Sequence, residues 1–114
     1  MAKFLFVYRS SADAEMSAPP SPEQMQEIMT AWHAWFAQIG EALVDGGDAL
    51  LPMGKQVKQD GVVTDGPFIE AKEMVGGYSI VQTEGLEAAA ELAKSCPIFH
   101  GGGWVEVRQL AGFE

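Results

Sequence analysis

The chain has one cysteine, Cys96, and two histidines, His33 and His100. A single cysteine excludes an internal disulfide and fits a reducing compartment. With so few soft or imidazole donors, no metal-ligand spacing appears; H-E-x-x-H is absent, and no metal site is expected. Cys96 precedes Pro97 with only Lys94 as basic company, so nothing favours a thiolate and a packing role is expected. Basic residues are also scarce. Seven Lys and Arg against sixteen Asp and Glu give a net charge of −9, a field that repels phosphate backbones and anionic lipids. Nucleic acid is therefore not an expected partner. Long apolar runs are missing too: Phe4 to Tyr8 is too short for a signal peptide, and no run approaches the ~20 residues of a membrane span. The expectation is a cytoplasmic protein without membrane contact. Gly101-Gly102-Gly103 precedes a strand pattern and lacks the Lys and helix of a phosphate loop, so no nucleotide or other cofactor is implied.

What is present suffices for one folded domain over residues 1–114. Hydrophobic residues make up 47% and charged residues 20% of the chain, well away from the disordered regime. Lys3 to Arg9 reads as an inner strand, apolar on both faces, and residues 10–21 as a rim loop. Ser21-Pro22-Glu23-Gln24 carries a helix start: a hydroxyl to accept a free amide, a proline where no N–H is needed, and a glutamine to close the capping box. Met25, Ile28, Met29, Trp32, Trp35, Phe36, Ile39 and Leu43 continue it as an apolar stripe, and Gly46-Gly47 is the expected stop. Residues 48–56 read as a loop. Val57 and Val62 to Thr64 suggest a second strand, interrupted by a tight turn at Asp60-Gly61.

Beyond Asp65-Gly66-Pro67-Phe68, a third strand is expected over Val75 to Thr83, where Gly76-Gly77 permits a bulge or close backbone approach. A second helix follows over Leu86 to Ser95, with Leu86, Ala89, Ala90 and Ala93 inward, stopping at Cys96-Pro97. Trp104 to Arg108 alternates as a last strand with one apolar and one mixed face. The order is β-α-β-β-α-β. This is the ferredoxin-like α+β pattern, a four-stranded antiparallel sheet with both helices on one face. The other face would then be bare yet apolar, which is abnormal for a monomer, so a homodimer through the open sheet face is expected.

"DGPF" between the second and third strands, "SCP" ending the second helix and "GGGWVEVRQL" near the end together resemble the YCII-related family, in its DGPF-domain branch. The likeness runs from "KFLFVYR" to "VEVRQL". It implies the protomer of a dimeric α/β barrel, and for some members an association with extracytoplasmic-function sigma factors. Relatives thought to be enzymes pair a His and an Asp in a cleft. The positions matching that pair fall near Met29 and Gln38, neither of which carries protons, although His33 is one turn from Met29.

Asp65 and His33 are the candidate catalytic pair: a carboxylate held at a strand end as general base, and an imidazole that titrates near neutral pH. Turn chemistry alone also explains Asp65, Gly66 and Pro67, and an edge histidine is commonly packed and hydrogen-bonded. Phe68 is a candidate pocket wall and His100 a candidate pocket residue. Tyr8 and Arg9, at the exit of the first strand, are candidate ligand contacts, Arg9 as an anion anchor. Two functions follow from different classes. One is a small-molecule-binding dimer doing acid–base chemistry on a polar metabolite; the other is a ligand-sensing or regulatory module that docks a partner such as a sigma factor. Cofactor-free oxygenation has only the shared fold behind it.

Overall fold

The computed structural model describes residues 1–11, 20–51, 53–61, 63–65 and 73–113, and the side chains of Thr64, Asp65, Glu73 and Met74 also lie outside the description. Among the described residues six strands and two helices follow one another: β1 (Ala2–Ser11), α1 (Pro22–Ile39), β2 (Leu43–Ala49), β3 (Lys55–Val57), β4 (Val63–Asp65), β5 (Glu73–Thr83), α2 (Leu86–Ala93) and β6 (Trp104–Gln109). Short 3-10 turns occupy Gly40–Ala42 and Pro97–Gly101. Strands β2, β5, β1 and β6 form, in that spatial order, one antiparallel sheet; β3 and β4 form a separate two-stranded ribbon. The expected ferredoxin-like α+β architecture is present, with β1 as an inner strand.

The parity of β1 sorts the sheet into two faces. Phe4, Phe6 and Tyr8 point one way and are buried, because successive side chains in a strand alternate. Val81 and Ser79 lie opposite Phe4 and Phe6 on β5, and Val107 and Val105 lie opposite Phe6 and Tyr8 on β6. Trp35 and Ile39 of α1, Ala89 and Ala93 of α2, and Cys96 close over this face. The buried alanines let α2 approach the sheet closely, as small residues at a helix–sheet contact do. The indole N–H of Trp35 donates to the carbonyl of Leu92 at 3.2 Å, which ties the two helices together. Phe6, Tyr8, Trp32, Trp35 and Phe36 form a continuous aromatic cluster, with Tyr8 edge-on to Trp32 at a centroid distance of 4.8 Å.

The helix start obeys its sequence signal. Ser21 Oγ accepts the Gln24 amide at 3.1 Å and Gln24 Oε1 accepts the Ser21 amide at 2.9 Å, with Pro22 at the first helical position. The helix end does not. Instead of running to Gly46-Gly47, α1 stops at Ile39, where Gly40 takes φ 63° and donates its N–H to the Phe36 carbonyl. Residues 43–49, expected as helix and loop, are the second strand of the sheet. The 57–64 region is not that strand; it is the β3–β4 ribbon, whose turn is closed by the Gly61 amide on the Lys58 carbonyl at 2.9 Å.

Strand β2 is an edge strand with an irregular middle. Its register against β5 shifts twice, between Leu43 and Asp45 and between Asp45 and Asp48. The Gly47 amide donates to Asp45 Oδ1 at 2.8 Å, and Gly47 sits at φ 67°. A Cβ there would meet the Tyr78 carbonyl oxygen at 1.8 Å. The Gly76-Gly77 pair also bulges: Tyr8 pairs with Gly77 and Arg9 with Val75, so Gly76 is the extra residue. Leu86 is 54% exposed and Ala90 is exposed, so α2 buries a narrower stripe than expected.

Candidate functional site

The topology gathers most of the candidate residues at one end of the sheet. Ser11 pairs with Glu73, Arg9 with Trp104, and Ala49 with Gly77. The end of β1, the end of β2, the start of β5 and the start of β6 therefore lie together. The β3–β4 ribbon springs from the same end, since it joins β2 to β5. His100 belongs to the 3-10 turn just before β6, and α1 packs on that turn. The N-terminal half of α1 is at this end too, because the helix runs back from β1 toward the start of β2.

This end is also unusually apolar at its surface. Met25, Ile28 and Met29 of α1 are 42–47% exposed, against the expectation that the whole stripe would be buried. Leu50, Leu51 and Met53 beyond β2, and Phe99 beside His100, are exposed as well. Apolar side chains gathered with a few polar groups are the usual lining of a small-molecule site. A separate concave surface, lined by Glu23, Gln26, Glu27, Thr30, Ala31 and Ala34, belongs to α1 alone and takes in none of the candidates.

The candidates separate by face. Tyr8 shares parity with Phe4 and Phe6, so its ring is in the core, 6% exposed, rather than at the mouth of a cleft. Its hydroxyl donates to Ser79 Oγ at 2.7 Å, and Ser79 Oγ donates in turn to the Gly46 carbonyl at 2.7 Å. Burial raises the Tyr8 phenol well above its usual range, with the Ser79 hydrogen bond opposing and the nearby Cys96 adding to the rise. A neutral, donating hydroxyl is therefore held at the floor of the aromatic cluster. Arg9 points the opposite way. Its Nε meets Glu106 Oε1 at 2.9 Å, and Arg108 Nη1 meets Glu106 Oε2 at 3.2 Å. Hydrogen bonds from Arg108 and then Arg9 hold the Glu106 carboxyl below the usual carboxylate range.

His33 is exposed on α1, and His100 is exposed in its turn. Asp65 closes β4 opposite Lys55; its side chain lies outside the description. Gly66, Pro67 and Phe68 lie outside the described residues. Cys96 is buried, and burial pushes its thiol up to about 11, as the packing role requires. Among the described residues no group of His, Cys, Asp and Glu is arranged to hold a metal ion, and no helix is long and apolar enough to cross a membrane. Ser79 and Gly46 were not among the sequence candidates. The available signal was a serine set between Tyr78 and Ile80-Val81, a polar side chain in the buried stretch of a central strand.

No curated protein sequence matches this chain. A solved structure of 5-chloro-2-hydroxyhydroquinone dehydrochlorinase (TftG) from Burkholderia phenoliruptrix AC1100, in complex with 2,5-dihydroxybenzoquinone, is similar to it with a TM-score of 0.52 and 15% identity, over 94% of this chain and 92% of that one. At that identity the likeness is one of fold. The family profile of the YCII-related domain matches residues 4–114, which takes in β1 from Phe4 onward, every later strand, both helices and all six candidate residues, and the chain accordingly belongs to the YCII-related domain family.

Proposed function

We propose that this chain, in the DGPF branch of its family, is one subunit of a cytoplasmic homodimer that binds a small polar molecule at this end of the sheet and acts on it by acid–base chemistry. The observation that carries this reading is the coincidence, at one end of the sheet, of exposed apolar side chains with His100 and with the end of β4 at Asp65. In the proposed roles Asp65 takes a proton and His33 carries one, while Arg9, Phe68 and His100 border the ligand. Tyr8, buried with its hydroxyl donated to Ser79, serves the core beneath this end of the sheet and does not touch the ligand. Arg9 contributes on the open face, as the cation that would meet a ligand anion beside its partner Glu106. The similarly folded dehydrochlorinase holds 2,5-dihydroxybenzoquinone, which supports a small, oxygen-rich ligand for this fold.

The homodimer rests on the uncovered sheet face. Leu5, Val7, Tyr78, Ile80 and Trp104 share that face by register, ringed by Lys3, Gln82, Arg9, Glu106 and Arg108. An apolar centre with a polar rim is the anatomy of an interface rather than of a solvated sheet.

A thermal-shift screen of polar metabolites, including dihydroxybenzoquinones, tests the binding reading. A ligand of the native state raises the melting temperature, and the rise should shrink in Asp65→Asn and His33→Gln. A panel that moves the melting temperature of neither the parent nor the variants removes the reading.

A further inference from the structure

The two edges of the sheet are built differently. Strand β2 is broken up as an edge: two register shifts, an Asp45-Gly46-Gly47-Asp48 core and a left-handed glycine leave no straight row of backbone groups. Bulges and inward or flanking charges are how edge strands avoid adding another strand. Strand β6 has no bulge, and its two charges, Glu106 and Arg108, are of opposite sign. Its pairing with β1 runs unshifted from Trp104 to Gln109, and Leu110 prolongs it with an amide that donates to the Lys3 carbonyl at 2.9 Å.

That last bond fixes which backbone groups of β6 face outward. Leu110 and Lys3 form a hydrogen-bonded pair, so in an antiparallel ladder the residues of the same parity, Arg108, Glu106 and Trp104, also aim their N–H and C=O at β1. Val105, Val107 and Gln109 aim theirs away from it. Among the described residues no strand lies on that side.

We propose that this outward row pairs with the same row of a second copy, antiparallel about a two-fold axis at Val107. In that register Val107 meets Val107 and Val105 meets Gln109, so every outward group of the three finds a partner. The residues between them fall opposite one another as Glu106 with Arg108, twice, and Trp104 with Leu110, twice. Moving the axis to Glu106 sets two like carboxylates face to face, and moving it to Arg108 does the same with two guanidinium groups, both of which disfavour pairing. An axis between residues would mismatch the two faces of the joined sheet. The charge pattern of β6 is thus self-complementary in one register, and the occupant of the edge is another copy of this chain. Two sheets become one of eight strands with the helices on a common side.

This interface is distinct from the sheet-face dimer; Glu106 and Arg108 also rim the open face, so Gln109→Pro, at a position on the helix-covered face, is the variant that separates the two. Size-exclusion chromatography with light scattering on the full chain reads the mass of the parent, of Glu106→Arg, of Arg108→Glu and of an equal mixture of the two variants. Each variant alone places like charges across the axis and is expected to fall to half the parental mass. In the mixture every cross-axis pair is again Glu with Arg, and the parental mass is expected to return. Gln109→Pro removes an outward N–H without touching the bonds to β1 and is also expected to halve the mass. Circular dichroism confirms that each variant is folded. If both interfaces form, the parent is a dimer of dimers and the variants are dimers; without the sheet-face dimer, the parent is a dimer and the variants are monomers. Variants that keep the parental mass, or a mixture that behaves as the sum of its components, would overturn the β6 pairing.

Discussion

Replacing Ser79 by alanine removes the middle of a buried chain of hydroxyls. The Tyr8 hydroxyl loses its acceptor at 2.7 Å and the Gly46 carbonyl its donor at 2.7 Å. Ser79 is fully buried and Tyr8 nearly so, and a buried polar group left without a partner costs about 1–3 kcal/mol. Gly46 belongs to an edge strand and is half-buried, so water can satisfy its carbonyl and the larger part of the loss falls at Tyr8. Ser79→Ala should therefore cost about 2–4 kcal/mol of unfolding free energy. Tyr8→Phe should cost less, about 0.5–1.5 kcal/mol, because Ser79 keeps Gly46 as its acceptor. The double variant removes both hydroxyls and leaves no orphan in the core. It should be less destabilised than the sum of the single variants by about 1 kcal/mol or more. Urea unfolding followed by tryptophan fluorescence reads all four proteins, since Trp32 and Trp35 lie edge-on to the Tyr8 ring. Strictly additive losses, or a Ser79→Ala cost no larger than that of Tyr8→Phe, would refute the relay.

Two other perturbations follow from the same geometry. Gly47→Ala brings a Cβ within 1.8 Å of the Tyr78 carbonyl at a φ of 67°, so it should detach β2 from β5 and lower the urea midpoint far more than Gly61→Ala, whose φ is 85° but whose site is open; only the cost of a left-handed residue, about 1–2 kcal/mol, is expected at Gly61. Cys96, with its thiol pushed up to about 11 by burial, should resist iodoacetamide in the native protein at pH 8 and react on unfolding. Because its folded pKa lies above the unfolded value of about 8.5, the stability it contributes is present below that value and lost as pH rises toward 11. Cys96→Ala should flatten that part of the stability profile.

Much of this architecture is legible in the residues, and the failures have physical causes. The capping box at Ser21 and the alternation of β1 and β6 are local signals, and both held. The end of α1 was hidden because Phe36, Ile39 and Leu43 keep helical spacing across Gly40, while the Gly46-Gly47 pair looks like the stronger stop. Leu43–Ala49 contains two Gly and two Asp, a composition that disfavours strand; tertiary pairing with β5 overrides it. The Asp60-Gly61 turn was recognisable as a turn, but local pattern does not reveal which sheet its flanking strands join. Tyr8 and Arg9 could have been separated by parity alone, since one follows Phe4 and Phe6 and the other follows Leu5 and Val7. Exposure of Met25, Ile28 and Met29 depends on how far α1 overhangs the sheet, which no helical wheel contains.

In the proposed function the apolar open face of the sheet is the place where oligomerisation and ligand binding meet. Sedimentation velocity on the parent and on Val7→Lys, which sets a charge at the centre of that face, measures its role most directly. The parent is expected to sediment as a dimer or larger and Val7→Lys at half that mass with its circular dichroism unchanged. A parent that sediments as a monomer at micromolar concentration would contradict the covered face and the shared cleft with it.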